Sequence, residues 1–131
     1  AMSMLADKAI VSRLTYMDQD ILNLILLGKV KFIDAKYNTQ FSLNYELKKS
    51  FVCPINDETV LIHYVGPTKP WHYWAGYPSA QPFIKAKEAS PWKNEPLMRP
   101  VNSNYARYCA KHNFKQNKPI NGIMNYIYYF Y

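Results

Sequence analysis

Apolar and polar positions along the chain mark out a lopsided set of elements. Leu5, Ala9, Ile10 and Leu14 sit among charged positions between residues 3 and 15, a pattern of a helix or partly ordered arm. Asp18 then stands ahead of Ile21, Leu22, Leu24, Ile25, Leu26 and Leu27, and Gly28 follows. An acidic N-cap, an apolar run and a glycine at C′ predict a short, mostly buried helix. Val30-Lys31-Phe32-Ile33 alternates as a strand does, and Asp34 begins a turn. Residues 37–41 suit a loop or a strand, and residues 45–49 one helical turn. Asn56-Asp57 marks a turn before a buried strand at residues 60–63. Beyond Trp74, prolines at 78, 82, 91, 96 and 100 cut the chain into short pieces. Helices are predicted from about Ser79 to Ala89, with Pro82 in the first turn, from a Ser103 cap through Cys109, and from Pro119 to the end.

Composition narrows the class. At 131 residues with 49% apolar and 19% charged positions, the chain can build a core and is not a disordered sequence. The net charge of +7 is unevenly placed. Residues 1–65 balance, whereas residues 66–131 hold Lys69, Lys85, Lys87, Lys93, Arg99, Arg107, Lys111, Lys115 and Lys118 against Glu88 and Glu95. An excess confined to one half points to an anionic partner, nucleic acid or an acidic membrane face. Cys53 and Cys109 have no metal-ligand spacing and fit a reduced compartment. No apolar run is long enough to span a bilayer, and no signal peptide is recognisable. The opening Ala1-Met2 resembles a tag-cleavage remnant, from which a piece of a larger protein is expected.

The chemistry concentrates in His63-Tyr64-Val65-Gly66-Pro67-Thr68-Lys69-Pro70-Trp71, delivered by the Val60-Leu61-Ile62 run. A neutral imidazole is a metal ligand, glycine lets backbone N–H groups approach phosphate oxygens, and lysine sets a compact positive charge against them. Two prolines stiffen the turn. Together these residues suit a metal-bound diphosphate, although an isolated histidine at a strand end is ordinarily a satisfied edge residue. Trp71 and Trp74 read first as packing residues, and second as platforms for a sugar.

This stretch resembles the H-x-x-G-x-x-K-P-W signature of glycosyltransferase family 8, retaining metal-dependent enzymes that transfer a hexose from a UDP-sugar. Trp74, Tyr77-Pro78-Ser79 and Ser90-Pro91-Trp92-Lys93 resemble its bacterial branch, which adds glucose or galactose to the lipopolysaccharide outer core. A second match lies at Tyr16-Met17-Asp18-Gln19-Asp20-Ile21-Leu22-Asn23. The resemblance implies an α/β, GT-A-like fragment, mostly helical with two or three short strands, lacking the N-terminal Rossmann-like nucleotide-binding half and its Asp-x-Asp metal motif. It divides the chain into the end of the catalytic domain, residues 1–75, and a basic helical extension, residues 76–131.

By the same resemblance, His63 is a ligand of Mn²⁺ or Mg²⁺, and Gly66 and Lys69 contact the diphosphate. Asp18 binds donor hydroxyls, and Gln19 lies on the β-face of the anomeric carbon as nucleophile or electrostatic support. An amide is a poor nucleophile, so front-face transfer is the easier account. A lone histidine holds a hard cation weakly, and the fragment is expected to bind metal poorly and to be inactive alone.

The implied partners are a UDP-hexose donor, a lipopolysaccharide core acceptor and an anionic membrane surface, with no nucleic acid. The implied location is peripheral, on the cytoplasmic face of the bacterial inner membrane. In the tail, Ile120, Ile123, Met124, Ile127 and Phe130 or Tyr131 share one helical face, which either packs on the domain or meets lipid. The competing reading is a non-catalytic basic, aromatic module that binds lipid or nucleic acid, and it leaves the His-Gly-Lys-Pro-Trp spacing as accident.

Overall fold

The computed structural model describes Ser12 and residues 15–130, and the chain divides into two compact units, Ala1–Ile33 and Asp34–Tyr131. The arm expected at residues 3–15 lies almost wholly outside the described residues.

In the first unit, helix α1 spans Met17–Ile25. Its N-cap is Tyr16, not Asp18. Asp20 does the capping instead: its Oδ2 accepts from the Thr15 and Tyr16 amides at 2.8 and 2.9 Å, satisfying backbone donors ahead of the first turn. Beyond the helix, Lys29 N–H bonds Leu26 O, and Gly28 takes the positive φ of 76° that the turn requires. The expected burial is not found within this unit, where Leu22, Leu24, Ile25, Leu26 and Leu27 are exposed. Val30–Ile33 is irregular rather than a strand. Alternation alone cannot make a strand without a neighbour to complete its ladder.

The second unit is built on two parallel strands, β1 (Thr39–Phe41) and β2 (Ile62–Tyr64). Thr39 pairs with Ile62, Gln40 with His63 and Phe41 with Tyr64. Asp34 opens the unit by accepting from Lys36 N–H at 2.9 Å, which caps the 3₁₀ turn Ala35–Asn38 leading into β1. A parallel pair needs a crossover, and residues 42–61 supply it. They begin with the 3₁₀ turn Leu43–Leu47 and end in the Asn56 turn, where the Asn56 side chain accepts from Glu58 N–H. The core of this unit gathers Phe41, Leu43, Ala75, Tyr77 and Ala80, with Ile55 and Tyr64 packed against it.

Three helices follow: α2 (Gln81–Glu88), α3 (Ser103–Lys115) and α4 (Pro119–Phe130). A 3₁₀ turn, Pro78–Ala80, leads into α2, and Pro82 sits in the first turn where its missing N–H costs nothing. The α3 cap is Asn102, one residue before the expected Ser103, its side chain accepting from Tyr105 N–H at 2.9 Å. At the far end Asn117 is left-handed, with φ 57°. Lys118 N–H reaches Asn113 O and Asn117 N–H reaches Phe114 O, the paired bonds of a Schellman turn, and Pro119 then starts α4. The two helices approach closely at Gly122, where a Cβ would stand 2.7 Å from the Phe114 ring. The thiol of Cys109, buried on α3, donates to Tyr73 OH, and burial pushes its pKa up; Cys53 is exposed.

Candidate functional site

His63 and the loop after β2 lie in the second unit and border a cleft of about 760 Å³. Its lining includes Asn38, His63, Tyr64, Lys69, Trp71 and Phe83. His63 is exposed, and its Nδ1 lies 3.2 Å from Asn38 Oδ1. An amide oxygen only accepts, so Nδ1 carries the proton and the Nε2 lone pair is left for a ligand.

Gly66 follows with φ 83°, and a Cβ there would meet Ser42 Oγ at 2.8 Å. Glycine is therefore required twice, by backbone conformation and by space. Lys69 turns back so that Nζ donates to Tyr64 O at 2.6 Å. The carbonyl takes one of three ammonium donors and leaves two. Tyr64 is itself fixed, its hydroxyl donating to Ser79 O at 2.7 Å, while Ser79 Oγ donates to Glu46. Burial, with Cys53 nearby, pushes the Tyr64 phenol up to about 12.

The two tryptophans behave differently. Trp74 is buried, with its ring 4.2 Å from His72 centroid to centroid. Trp71 is 42% exposed on the cleft wall, 5.9 Å from Phe83. The packing reading holds for Trp74, whereas Trp71 presents an open aromatic face.

Two buried histidines that the sequence did not single out hold the loop from beneath. His72 Nδ1 accepts from Lys69 N–H at 3.2 Å. His112, on α3, bonds Tyr77 OH at 2.7 Å through Nδ1, and Thr68 Oγ1 and Asn44 Oδ1 at 3.1 Å each through Nε2. Burial lowers both to about 4, helped at His72 by Lys69 and at His112 by His72. Both rings are neutral at physiological pH. The signal for His112 was present: Ala106, Cys109, Ala110 and Asn113 recur at helical spacing on one buried stripe, and His112 falls beside Cys109 and Asn113 on it.

Of the predicted residues, His63, Gly66 and Lys69 come together on one strand end and its loop. Asp18 and Gln19 are exposed on α1 in the first unit, so the cleft is described without them. No cluster of three or more His, Cys, Asp or Glu side chains able to hold a metal ion occurs among the described residues. His63 can furnish one ligand and no complete shell.

Comparison with known proteins gives the family of the chain. The Glycosyl transferase family 8 profile matches residues 1–75, and the Glycosyl transferase family 8 C-terminal profile matches residues 77–131. The chain is 53% identical to lipopolysaccharide glucosyltransferase WaaO of Escherichia coli K12, across 99% of itself and 39% of that protein. It is equally similar, at 53%, to the lipopolysaccharide 1,3-galactosyltransferase of Salmonella typhimurium LT2, again over 99% of itself and 39% of the relative. A lipopolysaccharide 1,2-glucosyltransferase of Escherichia coli is 39% identical over 96% of the chain. The chain thus spans about two fifths of the length of the curated relatives it matches, and no solved structure matches it. With profile matches across both halves and relatives above half identity, the chain belongs to glycosyltransferase family 8.

Proposed function

We propose that this chain is the C-terminal part of a retaining hexosyltransferase that moves glucose or galactose from a UDP-sugar to the lipopolysaccharide outer core. The observation that carries the reading is the loop at the end of β2. His63 with a free Nε2, Gly66 in a conformation only glycine takes easily, and Lys69 with two spare donors all stand together there. A diphosphate leaving group needs that set of positive charge and open backbone.

Lys69 stabilises the charge that develops on the leaving diphosphate, and Gly66 allows the backbone to approach it. His63 would supply one ligand to a bound Mn²⁺ or Mg²⁺, which when present neutralises the UDP oxygens. The remaining ligands would be diphosphate oxygens and carboxylates of a GT-A nucleotide-binding half. Asp18 is assigned to donor hydroxyls and Gln19 to the β-face of the anomeric carbon. The free, exposed state of both side chains is compatible with these roles, while Asp20 is already engaged in capping α1. Transfer on the front face leaves Gln19 a supporting role, since its amide is a poor nucleophile.

The chain is equally identical to a glucosyltransferase and to a galactosyltransferase, so both hexoses are kept as donors in the proposal. We place the acceptor at the cytoplasmic face of the inner membrane. The exposed apolar side chains of α4 and the bases concentrated in residues 66–131 support peripheral attachment there. No helix among the described residues is long and apolar enough to cross a membrane.

The deciding experiment is transfer by the full-length protein with UDP-glucose and UDP-galactose side by side, on lipopolysaccharide with a truncated outer core. Transfer from either donor, lost on chelation of divalent metal, is the expected outcome. Failure of both donors to react, with folded protein and intact acceptor, would remove the reading.

A further inference from the structure

We propose that His112 is a positioning residue, which through Thr68 fixes the Gly66–Lys69 loop in the shape needed to meet a diphosphate. The proposal rests on the function proposed above and extends it to a residue on another helix.

The geometry assigns each proton. Asn44 Oδ1 can only accept, so the His112 proton is on Nε2, where Asn44 and Thr68 share it at 3.1 Å each. Nδ1 is then the acceptor, and Tyr77 OH donates to it at 2.7 Å. One ring thereby ties together the 3₁₀ turn after β1, the loop after β2, the segment before α2, and α3. Thr68 and His112 are both fully buried.

A side chain the size of leucine would fill this site without needing partners, whereas a buried polar group costs stability unless every hydrogen bond is met. What the imidazole adds over leucine is direction. Thr68 stands between Gly66 and Lys69, and its hydroxyl is the loop's link to the ring. On the other side, Lys69 N–H is held by His72. The backbone flanking Lys69 is thus fixed from both directions, by side chains that touch neither the cleft nor a ligand in it. Electrostatic stabilisation of a leaving group is sensitive to such placement, a displacement of about 1 Å being enough to lower turnover roughly a hundredfold.

The test uses the full-length enzyme. Thr68→Val keeps the shape and removes the hydroxyl. His112→Gln keeps an N–H near the Nε2 position, and His112→Leu keeps only the volume. The expected result is that Thr68→Val and His112→Leu lower kcat about tenfold or more with donor KM within about twofold, while His112→Gln recovers most of the loss. Thermal midpoints are expected not to follow that order, and kcat losses that track them across the variants would make the role one of folding instead. Nitrogen-15 spectra of the ring, identified by difference against His112→Gln, should show the Nε2–H tautomer in the parent enzyme itself.

Lys69→Ala serves as the reference. If Lys69→Ala is impaired while Thr68→Val and His112→Leu turn over like the parent, the positioning role is wrong and the diphosphate loop stands. If Lys69→Ala also turns over like the parent, both readings fall. An Nδ1–H tautomer would overturn the positioning role by itself.

Discussion

Helices α3 and α4 follow one another through a single tight turn, yet their sequences and their surroundings are exchanged. α3 carries Arg107, Lys111, His112 and Lys115 and still buries Ala106, Cys109, Ala110, His112 and Asn113. α4 carries no charged residue and buries only Gly122, leaving Ile120, Ile123, Met124, Ile127 and Phe130 exposed. Between these two helices, burial follows side-chain size and hydrogen-bond partners more than apolarity. Small residues let α3 sit against the loop, and its two large buried polar groups are satisfied. Asn113 donates to Cys109 O at 2.9 Å, and His112 uses both ring nitrogens. α3 is packed into this unit, whereas α4 keeps its apolar side chains on the surface.

The largest effect expected from that contrast is acid sensitivity located at α3 and its neighbours. His72 and His112 are held near pKa 4, against an ordinary value of 6.5. The folded state binds fewer protons than the unfolded, so stability is intact above about pH 6.5 and falls as pH drops toward 4. Each histidine contributes on the order of 3 kcal/mol to that loss. Urea melts at pH 7.5, 5.5 and 4.5 measure it, and His112→Gln should flatten the curve. A parent whose stability is constant across this range would contradict the neutral, buried pair.

Next comes the loop that α3 supports. Lys69→Ala in the full-length enzyme should lower turnover by about 2–4 kcal/mol, roughly 30- to 1,000-fold. His63→Ala should weaken its dependence on divalent metal. Both are read from initial rates across a metal titration, and rates within twofold of the parent for both would break the assignment of the cleft.

These expectations show where the sequence was legible. The His63–Trp71 loop, α2 and α4 could be read because proline, glycine and helical periodicity act locally. The α3 cap was missed by one residue, since Asn102 and Ser103 are both good caps. The strand at 30–33 and the Asp18 cap were misread for different reasons. A strand depends on a neighbour, and the helix starts at Met17, earlier than an Asp18 cap requires, with Asp20 reaching back to the Thr15 and Tyr16 amides. The histidine network was the least visible. Nothing near position 112 in sequence reveals Thr68 or Asn44, which are 44 and 68 positions away.

A smaller effect sharpens the contrast at the contact between the two helices. Gly122→Val would press a branched side chain into the Phe114 ring. A cost of about 1–3 kcal/mol is expected from overpacking, measured as a lowered denaturation midpoint.

The smallest effect on folding belongs to the outer face of α4. Ile123→Asp with Ile127→Asp should change stability by only about 0.5 kcal/mol, as for other surface replacements. The same pair should abolish co-sedimentation with anionic vesicles. The parent should pellet with anionic but not neutral vesicles and be released by salt as the Debye length contracts from about 10 Å at 0.1 M to about 3 Å at 1 M. Loss of stability equal to that of a core variant would make α4 a second inner helix and erase the comparison.

The two thiols supply a practical handle on the cleft. Cys109 is sealed against Tyr73 and resists ionisation, while Cys53 is open to solvent. A maleimide dye added to the folded 131-residue chain at neutral pH should therefore couple at one position without mutagenesis. That position lies within electrostatic range of the phenol of Tyr64, a residue that lines the cleft. The sequence thus carries its own attachment point for a fluorophore beside a residue of the cleft wall.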